Sequence, residues 1–142
     1  TRAWRDKLAD SIGVILASKV DESGWTDYGG TSTMVGWSSF TKNIVRYKVL
    51  DDLVFVNADI EGVATGATTT FTLPFVLSAS VTEGITFVGT GQSGGNSPPM
   101  QGTMSSSSDV VTCERRVSFN GTTALSNTGT KQVKYSFWYR KD

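Results

Sequence analysis

A chain of 142 residues with 13 basic and 13 acidic side chains has no net charge at neutral pH. Without a large single-sign field it is a poor partner for nucleic acid or an anionic membrane. It holds no histidine and one cysteine, Cys113, which excludes Ser-His-Asp and Cys-His catalysis, the usual zinc sites and an intrachain disulfide. The length suits about one domain with a sizeable core. The longest apolar stretch, Gly13 to Ala17, is far short of the roughly 20 residues of a membrane span, so no membrane insertion is expected. Nor is a secretory signal legible, since Arg2, Arg5, Asp6 and Lys7 have no long apolar region behind them. The chain starts at Thr1 rather than Met, as a fragment or a processed product does. Ser and Thr make up about a quarter of it, well above ordinary usage and suited to exposed strands and polar loops.

The first element in the chain is its one helix candidate, about Arg2 to Ser18. Trp4, Leu8, Ile12 and Ile15 fall on one face, and Arg5, Asp6, Lys7 and Asp10 make the other polar. Gly13 weakens such a helix by about 1 kcal/mol relative to Ala. As heptads, Leu8 and Ile15 take d positions and Ile12 an a position, and Ile in such a seam leans toward three or four strands. Residues 1–20 are therefore either a docking helix or the end of a trimeric stalk, with Leu8, Ile12 and Ile15 as candidate trimer-interface residues. Residues 21–142 form the head. Val20 to Gly24 is polar and ends the helix.

Trp25 to Trp37 is expected to form one or two short strands broken at Gly29-Gly30. Trp25, Tyr28 and Trp37 are either a platform that stacks on sugar rings or part of the core, since aromatic residues bury the most area. A long hairpin follows. Ile44, Arg46 and Lys48 alternate with Val45, Tyr47 and Val49. Then Val54, Val56, Ala58 and Ile60 alternate with Phe55, Asn57 and Asp59. Asp51-Asp52 is the turn between them, and Gly62 is expected to release the second strand into a loop. Thr68 to Leu73 alternates Thr with Phe71 and Leu73, and Pro74 stops the ladder. Phe75 to Ala79 is a possible continuation, and Ile85 to Val88 a further strand.

Gly89 to Pro99 reads as a long polar loop, a length that suits ligand binding or mobility. Met100 to Ser106 reads as a strand with Met100, Gly102 and Met104 on one face, turned by Ser105 to Ser108. Val110 to Phe119 alternates again. Asn120-Gly121 is the strongest hairpin turn, and Asn120-Gly121-Thr122 is taken as that turn rather than as a glycosylation site. In the final strand, Lys131 to Arg140, Val133, Tyr135, Phe137 and Tyr139 share one face. Trp138, on the other face, needs a second buried surface or a subunit contact to explain it. Cys113 is expected to be a small buried residue of its strand. About eight strands and one short N-terminal helix imply a mainly β fold, an antiparallel β-sandwich of jelly-roll type.

Chemistry is sparse. Paired carboxylates of the glycosidase kind remain formally open, but Asp6 with Asp10 is a solvated helix face, and Asp51-Asp52 is a turn. Gly89-Thr90-Gly91 lacks the strand–loop–helix setting of a phosphate loop. No enzyme activity and no cofactor or metal is expected.

Gly36-Trp37-Ser38, Val45-Arg46-Tyr47-Lys48-Val49, Leu53-Val54-Phe55-Val56, Ile60-Glu61-Gly62 and Phe71-Thr72-Leu73-Pro74 together resemble a pattern at the C-terminal ends of tailed-bacteriophage fibre and receptor-binding proteins. The final strand, Lys134 to Arg140, looks like theirs. The resemblance covers roughly residues 25–90 and 131–142. It departs at Asp51-Asp52, where the pattern usually has Gly, and residues 91–130 lie outside it. It implies a homotrimeric β-sandwich head in the virion, made in the bacterial host cytoplasm. Such a head adheres to host cell-surface polysaccharide and joins other virion proteins on its N-terminal side. No binding residue carries over from the resemblance. From this chain's own residues the candidates are Tyr28, Gln92, Asn96 and Trp138. The alternatives are a monomeric carbohydrate-binding module with an aromatic platform, and a small glycan hydrolase.

Overall fold

The computed structural model describes residues 24–142 and Lys7. The helix expected over Arg2 to Ser18, and with it Leu8, Ile12 and Ile15, otherwise lies outside the described residues. Ten strands follow in chain order: β1 (Thr26–Asp27), β2 (Met34–Val35), β3 (Trp37–Leu50), β4 (Leu53–Ala64), β5 (Thr70–Thr72), β6 (Ile85–Ser93), β7 (Met100–Met104), β8 (Val110–Ser118), β9 (Gly121–Ala124) and β10 (Thr130–Arg140). All pairings are antiparallel.

The expected hairpin is the spine. Leu50 pairs with Leu53, so the turn is the two-residue Asp51-Asp52, and Asp51 takes a φ of 55°, which aspartate tolerates better than most side chains. Along β4 the alternation is strict. Val54, Val56, Ala58 and Ile60 are buried, while Phe55, Asn57, Asp59 and Glu61 are half-buried on the opposite face. On β10, Val133, Tyr135 and Tyr139 are buried and Phe137 packs beside them.

Gly62 does not end β4. The strand runs on to Ala64, and Gly62 pairs with Phe40 where β3 bulges. A Cβ at Gly62 would lie 2.1 Å from the Ser39 carbonyl oxygen. The glycine is required by the close approach of a second backbone, a role that period-two patterning does not reveal.

Among the described residues the expected all-β antiparallel architecture is present, and the two layers of the expected sandwich are continuous with each other. The strands form one hydrogen-bonded path, β1-β3-β4-β10-β6-β7-β8-β5-β2, with β9 on β8. Strand β6 is the shared member. Its last residues, Thr90 to Ser93, pair with β10, and its first, Ile85 to Gly89, pair with β7. The sheet curls there, and its two halves meet over a common core. Phe71 of β5 stacks on Tyr135 of β10 at 6.4 Å, and the Tyr135 hydroxyl donates to the Gln101 carbonyl of β7. Residues 28–33 link the two ends of the path. Tyr28 N–H donates to the Val45 carbonyl on one edge, and the Ser32 hydroxyl donates to the Thr72 carbonyl on the other.

Three smaller expectations change. Phe75 to Ala79 forms no strand. Its Leu77 is nevertheless fully buried, and its Phe75 carbonyl accepts from the Tyr139 hydroxyl. The β8–β9 turn is Phe119-Asn120, closed by the Ser118–Gly121 pair, so Gly121 opens β9 rather than sitting in the turn. The loop expected over Gly89 to Pro99 is mostly a hairpin. Strand β6 continues to Ser93, and Gly94-Gly95 make the turn with φ of 58° and 86°. Two consecutive positive φ values are what a primed two-residue turn requires and what glycine permits. Pro98 and Pro99 keep the returning strand from pairing until Met100.

Candidate functional site

The outer face of β3, β4 and β10 carries its side chains in rows set by register. Thr26 pairs with Tyr47, Lys48 with Phe55, and Phe55 with Trp138. Extending the β1–β3 register by one residue sets Trp25 opposite Lys48. Trp25, Lys48, Phe55 and Trp138 therefore form one row across four neighbouring chain segments, about 14 Å long at the usual strand spacing. The next row is Arg46, Asn57 and Ser136, and the one after it Ile44, Asp59 and Lys134.

Trp138 is the most exposed aromatic of the row, at 61%. The Arg140 carbonyl accepts from Ser78 N–H, while Lys141 N–H donates to the Asp52 carbonyl. Even-numbered residues of β10 thus direct their backbone polar groups away from β4. Trp138 and Phe55 form a non-hydrogen-bonded pair, the closer of the two antiparallel geometries. The Trp25 ring lies under the Arg46 guanidinium at 5.9 Å, which fixes one end of the row.

A groove lies on each side of Trp138. One, of about 320 Å³, is lined by Trp25, Phe55, Val56, Asn57, Ser136, Phe137 and Trp138. The other, of about 650 Å³, lies where β6 leaves β10. Its lining includes Leu77, Val81, Ile85, Phe87, Phe137 and Trp138. It exists because β10 pairs with β6 only over Lys131 to Lys134. The polar rows supply hydrogen-bonding groups beside the aromatic ones. Asn57 Nδ2 donates to Ser136 Oγ at 3.5 Å, and Gln132 Nε2 donates to Asp59 Oδ1 at 2.8 Å. Lys42 and Lys134 lie 3.5 and 3.8 Å from Asp59. Exposed pairs of this kind contribute about 0–1 kcal/mol each. Apolar faces bordered by amide, hydroxyl and carboxylate groups can stack on a sugar ring and hydrogen-bond its hydroxyls. Among the described residues no group of three or more His, Cys, Asp or Glu is placed to hold a metal ion.

The four candidate binding residues are not brought together. Trp138 lies in the row. Tyr28 is half-buried and meets Tyr47 edge-on at 6.1 Å, so it serves the packing of Tyr47 against Phe75. Gln92 lies in β6 opposite Gln132, not in a loop. Asn96 closes the β6–β7 turn with Ser93. Trp37 is core. It is 6% exposed, and its indole N–H donates to the Lys131 carbonyl. Sequence patterning did not single out Phe55 or Lys48. Both sit on the solvent side of an alternating strand, and only the pairing register aligns them with Trp25 and Trp138.

No family model matches the sequence, and no curated protein matches it. Among solved structures, the chain is similar to the head domain of the lactococcal phage bIL170, described as a receptor-binding domain. The TM-score is 0.39 and the identity 16%, over 83% of this chain and 97% of that one. A TM-score that low does not define a shared fold, and it assigns neither ligand nor assembly to this chain.

Proposed function

We propose that this domain is the host-recognition head of a phage fibre or baseplate protein. In this reading it is a homotrimer in the virion and is made in the bacterial host cytoplasm. It joins other virion proteins on its N-terminal side and binds host cell-surface polysaccharide along the Trp25–Lys48–Phe55–Trp138 row without catalysing a reaction. The observation that carries the reading is Trp138, an indole held open to solvent beside Phe55 between two grooves, where it contributes little to the core. The pattern from Gly36-Trp37-Ser38 to Phe71-Thr72-Leu73-Pro74, which resembles phage fibre tips, supports the virion setting.

The test is binding of the labelled domain to an array of bacterial glycans, repeated with Trp138→Ala and Phe55→Ala. Loss of one stacked aromatic, about 1.5 kcal/mol, corresponds to about tenfold weaker binding. The expected result is at least that loss in both variants, with thermal midpoints close to wild type for Trp138→Ala. Unchanged binding in both would remove the row as the site. The same row would also serve a monomeric carbohydrate-binding module, so light scattering on the full chain separates the two settings: a trimer supports the phage head, and a monomer at high concentration supports the module.

A further inference from the structure

At the far end of β10 from Trp138, roughly 25 Å along the strand, lies a polar pocket of about 370 Å³. It is lined by Ser93, Gly94, Asn96, Arg115, Leu125, Ser126 and neighbouring small residues, with no carboxylate. Arg115 has the core-facing parity of β8. It follows the buried Val111 and Cys113 at two-residue intervals and pairs with the fully buried Met100. Its Nε is buried without a hydrogen-bond partner. Neither Nε nor the terminal nitrogens hydrogen-bond or ion-pair with any described residue. A guanidinium carries five donors in a planar fork, and Arg115, half-buried as a whole, keeps its Nε out of water with no counter-charge beside it, a desolvation cost at that nitrogen.

The surroundings supply what an oxyanion needs beside a cation. Ser93 is 2% exposed, and its Oγ accepts from Ser126 N–H at 2.8 Å, which leaves its own proton free to donate. Asn96 is held at the rim by the Gly94-Gly95 turn, whose two closing backbone bonds are 2.8 and 3.2 Å. Leu125, also 2% exposed, gives the pocket an apolar floor.

We infer that this pocket binds a small oxyanion, the phosphate or carboxylate of a polar ligand, with Arg115 as its counter-charge and Ser93 and Asn96 as neutral donors. The pocket is separate from the aromatic row, and the inference stands whether or not Trp138 binds saccharide. A planar fork is matched to such groups by bidentate geometry.

The experiment is an amide-resolved NMR titration of the full chain with inorganic phosphate, glucose 1-phosphate, glucuronate and uncharged glucose, at constant ionic strength. Saturable shifts at Gly94, Asn96 and Ser126 are expected with phosphate and glucose 1-phosphate, with glucuronate, or with all three, and none with glucose. The responding anion identifies the class. Arg115→Gln removes the charge while keeping a side chain of similar reach, and it should weaken binding at least about tenfold. Asn96→Ala should weaken it by a smaller factor, and Trp138→Ala should leave it unchanged. Shifts that never saturate, shifts equal in wild type and Arg115→Gln, or an equal response to glucose would overturn the inference.

Discussion

Lys131 shows how one residue can set a pH dependence. It is fully buried at the start of β10, with its ammonium donating to the Gly66 carbonyl at 2.8 Å and the Thr69 hydroxyl at 2.7 Å. It lies 5.3 Å from the Trp37 ring. These contacts tie the loop after β4 to the core, but they include no carboxylate. Burial lowers the Lys131 pKa to about 8 from 10.5. Between those values the unfolded chain holds more protons than the folded one, so stability rises with pH across that window. Burial also pushes the Cys113 thiol up to about 12 from 9.0. That group works in the opposite sense, costing stability above pH 9. The urea midpoint should therefore rise from pH 7.5 to 9 by an amount on the order of 1 kcal/mol in stability and then level off. Lys131→Met should abolish the rise. A flat wild-type profile over that range would contradict the account of Lys131.

At the scale of elements, the β3–β4–β10 unit depends on backbone proximity as much as on side chains. Gly62→Ala places a Cβ 2.1 Å from the Ser39 carbonyl, so the β3 bulge must move. A loss of about 2–4 kcal/mol is expected in chemical denaturation, against a few tenths for Gly66→Ala, where a Cβ meets nothing within 4 Å. Equal effects at the two glycines would mean that the bulge is not a fixed feature. These elements differed in how legible they were. Val54 to Ile60 and Val133 to Tyr139 announced themselves because one face of each is buried and period two survives intact. Strand β6 beyond Val88 did not, because Gly89, Thr90, Gly91 and Gln92 carry little hydrophobic signal. That stretch is held by backbone pairing to β10, with glycine where β10 comes close. The aromatic row was invisible for a different reason: Trp25, Lys48, Phe55 and Trp138 are scattered in sequence and meet only through three pairing registers. Arg115 gave no signal either, since an arginine in a strand reads as solvent-facing until its parity with Val111 and Cys113 is known.

For the whole molecule, the curl at β6 is what makes one sheet enclose a core and still offer a broad outer face. Strand β6 belongs to both halves, and its departure from β10 after Lys134 opens the larger groove beside Trp138. A sheet curled this way keeps its interior apolar and sets the Trp138–Phe55 pair on the far side of the same strands. Binding variants at Trp138 or Phe55 should then spare the fold, whereas Phe71→Ala, which removes a fully buried ring at the meeting of the two halves, should cost about 3–5 kcal/mol. The most direct test of the central claim is retention of the fluorescently labelled domain by purified bacterial cell-wall polysaccharide, wild type against Trp138→Ala at matched thermal stability. Saturable retention is expected, falling at least about tenfold with the substitution. Equal retention by the two proteins, with both folded, would contradict it.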